Sequence, residues 1–129
     1  MNKNKGFTLI ELLVVIAIIG VLSSVVLASL NSARAKGSDA AVKSNLNNIR
    51  AQAELFYDDT PNSDSYFGVC DDPTFKKVIK ATGGNCKADK GYWVMAAPLK
   101  NGAGFWCVDY KGSAVKITED LASGATKCE

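Results

Sequence analysis

The feature that most constrains this chain is an uncharged apolar run near its N-terminus. Residues 12–33 contain no Asp, Glu, Lys or Arg, and a helix of that length can cross the roughly 30 Å hydrocarbon core of a bilayer. Its large aliphatic side chains fall on every face of a helix, so every face must meet lipid or protein. The sequence therefore predicts one membrane-spanning helix after a short polar and basic segment, residues 1–6.

A second pattern, typical of an amphipathic helix, follows this run. Apolar residues recur at spacings of three and four with polar residues between them, and the apolar set is Val42, Leu46, Ile49, Ala53 and Phe56. We expect one long helix over residues 8–57, with Gly37 as a soft point and polar residues with Pro61 at its end. Its second half needs an apolar partner for one buried stripe.

The rest of the chain predicts a short helix and a small sheet. Asp72 is a suitable N-cap, Pro73 fits the first helical position, and Gly83 follows the last turn. Strand patterns separated by turn signals lie at residues 92–97, 104–109 and 114–117. They predict an antiparallel meander of three strands, one face of which is the partner for the helical stripe. The fold class is α+β.

Composition argues against a catalytic function. The chain of 129 residues has room for one small domain, and it contains no histidine, the side chain most used for proton transfer and metal binding. Of 15 basic residues, Lys3 and Lys5 supply the whole excess over 13 acidic ones. The sequence has no clustered stripe of basic residues of the kind that indicates nucleic-acid binding. We therefore expect no enzyme activity, no cofactor, no metal and no specific nucleic acid.

One acidic residue lies at the edge of the apolar run. An acid costs about 2.5 to 3.5 kcal/mol near the centre of a membrane helix and less toward the interface, so Glu11 needs protonation or a cationic partner. No Lys or Arg lies within reach on the same helix. Cutting the chain just before Phe7 would create an α-amino group, which in an assembly could belong to a neighbouring copy.

The stretch over residues 5–20, KGFTLIELLVVIAIIG, resembles the class III leader of type IV prepilins and pseudopilins. The resemblance implies that Gly6 is the last leader residue, that Phe7 becomes the N-methylated first residue, and that Glu11 serves methylation or assembly. It also implies a prepilin peptidase, an inner-membrane assembly platform and an assembly ATPase as partners. Many family members carry a proline about two turns beyond Gly20, where this chain has Ala28.

The resemblance implies a pilin-like fold: one long N-terminal helix packed on the three-stranded sheet, with a disulfide-closed C-terminal region. We expect a leader over residues 1–6, a membrane and filament-core half of the helix over 7–33, and a globular domain over 34–129. The precursor would cross the cytoplasmic membrane once. After assembly the protein would be a structural subunit of a surface filament, a type IV pilus, serving motility, adhesion, DNA uptake or secretion.

Two other functions stay open at this stage. The chain could be a pseudopilin of a type II secretion or DNA-uptake system, which sometimes uses a calcium loop where pilins use disulfides. The acids available for such a loop lack the spacing of an EF-hand, and helix ends and turns suit them better: Asp58, Asp59, Asp64, Asp71 and Asp72. Alternatively it could be an anchored or secreted domain, although a secretory signal would leave Glu11 unpaired inside its apolar core.

All four cysteines lie beyond the apolar run, at positions 70, 86, 107 and 128. They lack the close-paired spacing of a zinc site or redox dithiol, so two disulfides in an oxidising compartment are expected. Three pairings are possible, and we favour Cys70 with Cys86 and Cys107 with Cys128. The first would join the short helix to the loop, and the second would fasten the C-terminal tail to the middle strand.

Overall fold

A computed structural model describes residues 5–59, 64–102 and 104–129 of the chain. Its elements, in order, are α1 Leu9–Asp59, a 3-10 turn Val69–Asp71, α2 Pro73–Thr82, β1 Asn85–Asp89, β2 Tyr92–Pro98, β3 Phe105–Asp109 and β4 Ala114–Ile117. The chain divides into two compact units, Met1–Arg34 and Ala35–Glu129. The predicted α+β class is confirmed.

In the first unit the apolar run is helical from Leu9 onward, with its side chains exposed. Leu13, Ile18 and Leu27 are each more than half exposed. The helix continues without a break through Gly20 and Ala28. Within the described residues, α1 is the one helix long and apolar enough to cross a membrane, judged by length and composition.

In the second unit the amphipathic part of α1 packs on the sheet. Leu46 and Ala53 are fully buried and Ile49 nearly so. They share one core cluster with Trp93 and Met95 of β2. The stripe that the periodicity predicts is therefore the face of α1 that meets the sheet, and burial of its large side chains contributes about 1.5 to 3 kcal/mol each.

The sheet has four antiparallel strands in the order β1-β2-β3-β4, so the prediction of three strands is wrong by one. The missed strand is β1, in which Cys86 lies opposite Met95 of β2. Asn85, Lys87 and Asp89 have low β propensity, so local sequence gives no strand signal there. Pairing with β2 and the disulfide of Cys86 form this edge strand instead.

Both faces of β2 are buried, because the sheet is covered on each side. Trp93, Met95 and Ala97 belong to the core under α1, whereas Val94 and Ala96 belong to a second core on the opposite face. That second core is closed by the C-terminal segment through three side chains, Leu121, Ala125 and Cys128. The tail beyond β4 is thus a packed layer of the domain.

Helix α2 begins and ends at the residues that the sequence predicts. The side chain of Asp72 accepts a hydrogen bond from Thr74 N at 2.8 Å. Gly83 follows the last turn with φ 68°, which only glycine adopts without strain, and its N–H bonds the carbonyl of Ile79. Phe75 of α2 is fully buried and meets Trp93 edge to face at 5.9 Å between ring centroids.

Candidate functional site

The N-terminus of α1 is closed by reciprocal hydrogen bonds between Thr8 and Glu11. The backbone N–H and the hydroxyl of Thr8 both donate to Oε2 of Glu11, each at 2.9 Å. The backbone N–H of Glu11 donates to Oγ1 of Thr8 at 3.2 Å. This is a capping box, in which the N-cap residue and the third helical residue satisfy each other's free donors.

The sequence analysis placed Thr8 at the start of the helix but missed its hydrogen bonds to Glu11. The signal was present as Thr8-x-x-Glu11 immediately before an apolar run, which is the sequence pattern of a capping box. The sequence analysis therefore assigned Glu11 no local partner. In the structure three hydrogen bonds tie it to Thr8, all of them local, so the acid has neutral donors within its own chain.

Both bonds from Thr8 end on the same carboxylate oxygen of Glu11. No hydrogen bond to Oε1 occurs among residues 5–59, 64–102 and 104–129, and no Lys or Arg of these residues forms an ion pair with Glu11. Oε1 is thus able to accept a further donor. The site holds a carboxylate in a fixed position at the start of an apolar helix, with one oxygen presented outward.

The predicted cleavage site lies just before this cap. Gly6 and Phe7 precede the first helical residue, Leu9, and have no regular secondary structure. Phe7 is 83% exposed, and a Cβ added at Gly6 would meet nothing within 4 Å. The Gly6–Phe7 peptide bond is therefore exposed. Thr8, the next residue, is the N-cap of α1.

The four cysteines form two disulfides, Cys70 with Cys86 and Cys107 with Cys128, each with Cα atoms 5.8 Å apart. This is the pairing that the sequence analysis favours among the three. The first joins the 3-10 turn to β1, and the second joins β3 to the C-terminal tail. The first disulfide packs against the core under α1, and the second against the core on the opposite face of the sheet.

Two buried aspartates that the sequence analysis did not single out hold loops in place. Asp39 of α1 accepts hydrogen bonds from the backbone N–H groups of Lys100 and Asn101 at 2.6 and 2.9 Å. Asp109 accepts from Lys111, Ser113 and Cys128 at 3.0, 3.1 and 2.9 Å. Their partners lie up to 62 residues away in sequence, so no local pattern could reveal the role of Asp39.

Two of the five acids considered as calcium ligands have other local roles. Asp72 caps α2, and Asp71 forms an ion pair with Lys76 at 3.1 Å. In the part of the chain that the structure describes, no three acidic or cysteine side chains converge as a metal site would require.

Known proteins resemble this chain in the segment that contains Gly6, Phe7 and Glu11. The family described as the prokaryotic N-terminal methylation motif matches residues 1–27. The chain is also similar to the type IV wide pilus major component PilA4 of Thermus thermophilus, with 45% identity over 56 residues, 43% of each chain. The N-terminal segment thus carries the methylation motif and is similar to a segment of a type IV pilus component.

A second similar protein comes from another bacterium. The type IV major pilin protein PilA of Myxococcus xanthus is 34% identical over 55 residues, 43% of this chain and 25% of that protein. The similarity thus spans less than half the length of either relative. No solved structure matches this chain significantly.

Proposed function

We propose that this chain is a structural subunit of a type IV pilus-like filament, made as a membrane precursor and assembled through its apolar N-terminal helix. The observation that carries the proposal is the arrangement of Gly6, Phe7 and Glu11: an exposed peptide bond, followed within one turn by a carboxylate fixed at the start of an exposed apolar helix. The named relatives are pilus components, which supports the same function.

Cleavage between Gly6 and Phe7 removes the basic leader and creates a new α-amino group, which the resemblance to prepilins implies is then methylated. In this proposal the amine of one subunit approaches Oε1 of Glu11 on a neighbour. Oε2 stays on Thr8, so the pairing does not require the helix cap to open. A carboxylate left without a cation in an apolar environment is strongly unfavourable, whereas a paired one is tolerated. The pairing therefore fixes the axial position of one helix against the next.

The large apolar surface of α1 supplies the driving force in this scheme. Its aliphatic side chains are exposed within the chain itself, so they need lipid in the precursor and neighbouring helices in the filament. We further propose that the precursor crosses the cytoplasmic membrane once and that the filament is displayed at the cell surface. A prepilin peptidase, an inner-membrane platform and an assembly ATPase would serve these steps.

The test separates the charge of Glu11 from its role in the helix cap. Glu11→Gln keeps an acceptor for Thr8 but removes the charge, and Glu11→Val removes both. Glu119→Gln, an exposed acid near the C-terminal tail, is the matched control. We expect both Glu11 variants to reach the membrane but to yield few or no sheared filaments, whereas the control assembles normally. Normal filaments from Glu11→Gln would contradict the pairing.

A further inference from the structure

A strip of basic side chains runs along the side of the globular unit, between α1 and the last strand. Lys43 and Arg50 of α1 are seven residues apart and so share a helix face over about 10 Å. The strip continues with Lys111 in the β3–β4 turn and Lys116 on β4. We call these four residues the basic edge.

Aromatic and turn residues hold the basic edge together. Lys43 Nζ lies 4.8 Å from the ring centroid of Trp106, and Trp106 is the cross-strand partner of Lys116. A Cβ built at Gly112, where φ is 87°, would lie 3.2 Å from a guanidinium nitrogen of Arg50, so Arg50 lies against the β3–β4 turn.

The chain itself does not neutralise this strip. Among the described residues none of the four basic side chains forms an ion pair, because the two ion pairs found are Lys76 with Asp71 and Lys127 with Glu129. Three acids near the strip have other partners. Asp39, one turn before Lys43, accepts from two backbone N–H groups. Beside Arg50, Glu54 accepts a hydrogen bond from the hydroxyl of Tyr66, and Asp109 is buried with both oxygens bonded to backbone N–H groups. A lysine on an edge strand deters strand pairing, but that role does not explain Lys43 and Arg50 on the helix.

The opposite charge lies farther along the same unit. Asp58 and Asp59 end α1, and Asp59 and Asp72 line a shallow recess of about 330 Å³ together with Leu55 and Phe56. Leu55 is 59% exposed. The recess thus offers apolar surface for the aliphatic part of a lysine and carboxylates for its ammonium group. Asp58 is fifteen residues beyond Lys43 on α1, roughly 22 Å along the helix, so the two ends cannot pair within one copy.

We propose that the basic edge of one subunit docks on the Asp58, Asp59 and Asp72 end of a second copy, which makes a lateral contact between globular units. A second copy is the partner that this charge pattern fits, because past the leader the basic and acidic residues balance, and the basic edge and the Asp58, Asp59 and Asp72 end lie at different places on the unit. Two different patches of one molecule form a heterologous contact, and heterologous contacts that do not close generate helical filaments. This inference rests on the proposed filament function.

Zero-length carbodiimide cross-linking of intact filaments tests the contact directly. Filaments assembled from a mixture of ¹⁴N- and ¹⁵N-labelled full-length chains allow mass spectrometry to separate links between copies from links within one. We expect mixed-label amide links between Lys43, Lys111 or Lys116 and Asp58, Asp59 or Asp72. Links between copies that consistently avoid these residues would overturn the proposal.

Charge reversal provides the second readout. Lys43→Glu combined with Lys116→Glu is expected to lower the yield of sheared filaments by at least about tenfold, and added Asp58→Lys and Asp59→Lys to restore a large part of it. Lys80→Glu, on the exposed face of α2, is the matched control and should have no effect. An unchanged yield from the double reversal, or binding of duplex DNA by wild-type filaments that the reversal abolishes, would contradict a contact between copies. Absence of filaments from the wild-type chain would instead contradict the proposed function.

Discussion

Thr8 and Glu11 are joined by three hydrogen bonds at the start of α1, two of which end on Oε2 of the carboxylate. The contact ties the acid to the residue that begins the helix. Because only one carboxylate oxygen is engaged, the same side chain can cap its own helix and meet a partner from outside. Oε2 thus serves the helix cap, and Oε1 is left for the pairing that we propose.

Thr8→Val removes the hydroxyl while keeping the size and shape of the side chain. Loss of an N-cap costs about 0.5 to 2 kcal/mol of helix stability. We expect amide hydrogen exchange in the first turn of α1 to become faster by up to roughly thirtyfold in detergent-solubilised precursor. Thr8→Ser, which keeps the hydroxyl, is the control. Equal exchange rates in the wild-type chain and Thr8→Val would show that the capping box does not hold this turn.

Asp109 joins the β3–β4 turn to the C-terminal tail, and it is 2% exposed. Asp109→Ala leaves three backbone N–H groups without their acceptor. These bonds are partly buried, and a hydrogen bond to a charged group contributes about 1.5 to 3 kcal/mol. We therefore expect a loss of roughly 3 kcal/mol in the free energy of unfolding. Denaturant titration followed by the fluorescence of Trp93 and Trp106, both in the same unit, measures it. Asp120→Ala, an exposed acid in the tail, is expected to change little.

The Cys107–Cys128 disulfide anchors the tail that covers the second face of the sheet. Replacing both cysteines with serine is expected to reduce the free energy of unfolding by about 3 kcal/mol. The same change should expose Leu121 and open the tail to limited proteolysis. The Cys70→Ser and Cys86→Ser double variant is the matched comparison, because it loosens the turn before α2 and leaves the tail attached. Equal protease resistance of the tail in both variants would argue against this anchoring role.

Tyr66, in the globular unit, has a strongly raised pKa. Burial, followed by the hydrogen bond from its hydroxyl to Glu54 and nearby negative charge, raises the pKa of Tyr66 to about 12. An unfolded tyrosine has a pKa near 10. The folded state therefore holds this proton more tightly, so its contribution to stability is complete below about pH 10 and is lost as pH rises toward 12.

Ultraviolet absorbance of tyrosinate measures this directly. In wild-type protein we expect one of the four tyrosines to ionise late, near pH 12. Tyr66→Phe should remove the late component and Tyr92→Phe should leave it. Persistence of a late component in Tyr66→Phe would assign it to another residue.

Local sequence predicts the parts of this fold that depend on near neighbours. The caps of α2 at Asp72 and Gly83 are such features, and so is the stripe of α1 that meets the sheet, because capping and helical periodicity act within a few residues. β1 was missed because Asn85, Lys87 and Asp89 favour other conformations, and only their pairing with β2 makes a strand.

At the candidate site the sequence indicates the residues Gly6, Phe7 and Glu11. It does not show how their side chains are held. The Thr8 cap was readable from its spacing, whereas the loop contacts of Asp39 were not, since their donors lie 61 and 62 residues away. Burial of such an acid follows from where the tertiary fold brings backbone N–H groups together. A helix cap can thus be predicted from residues close together in sequence, whereas the partners of a buried acid such as Asp39 cannot.

Mass spectrometry of the intact chain and its N-terminal peptide, on protein recovered from the native cell surface, tests the central claim most directly. The account predicts a chain that begins at N-methylated Phe7 and lacks four hydrogens, two for each of the two disulfides. A chain that keeps residues 1–6 would contradict prepilin processing and remove the basis for assembly through Glu11. So would a chain that begins after Ala35, where the small residues Ala33 and Ala35 would suit cleavage of a secretory signal.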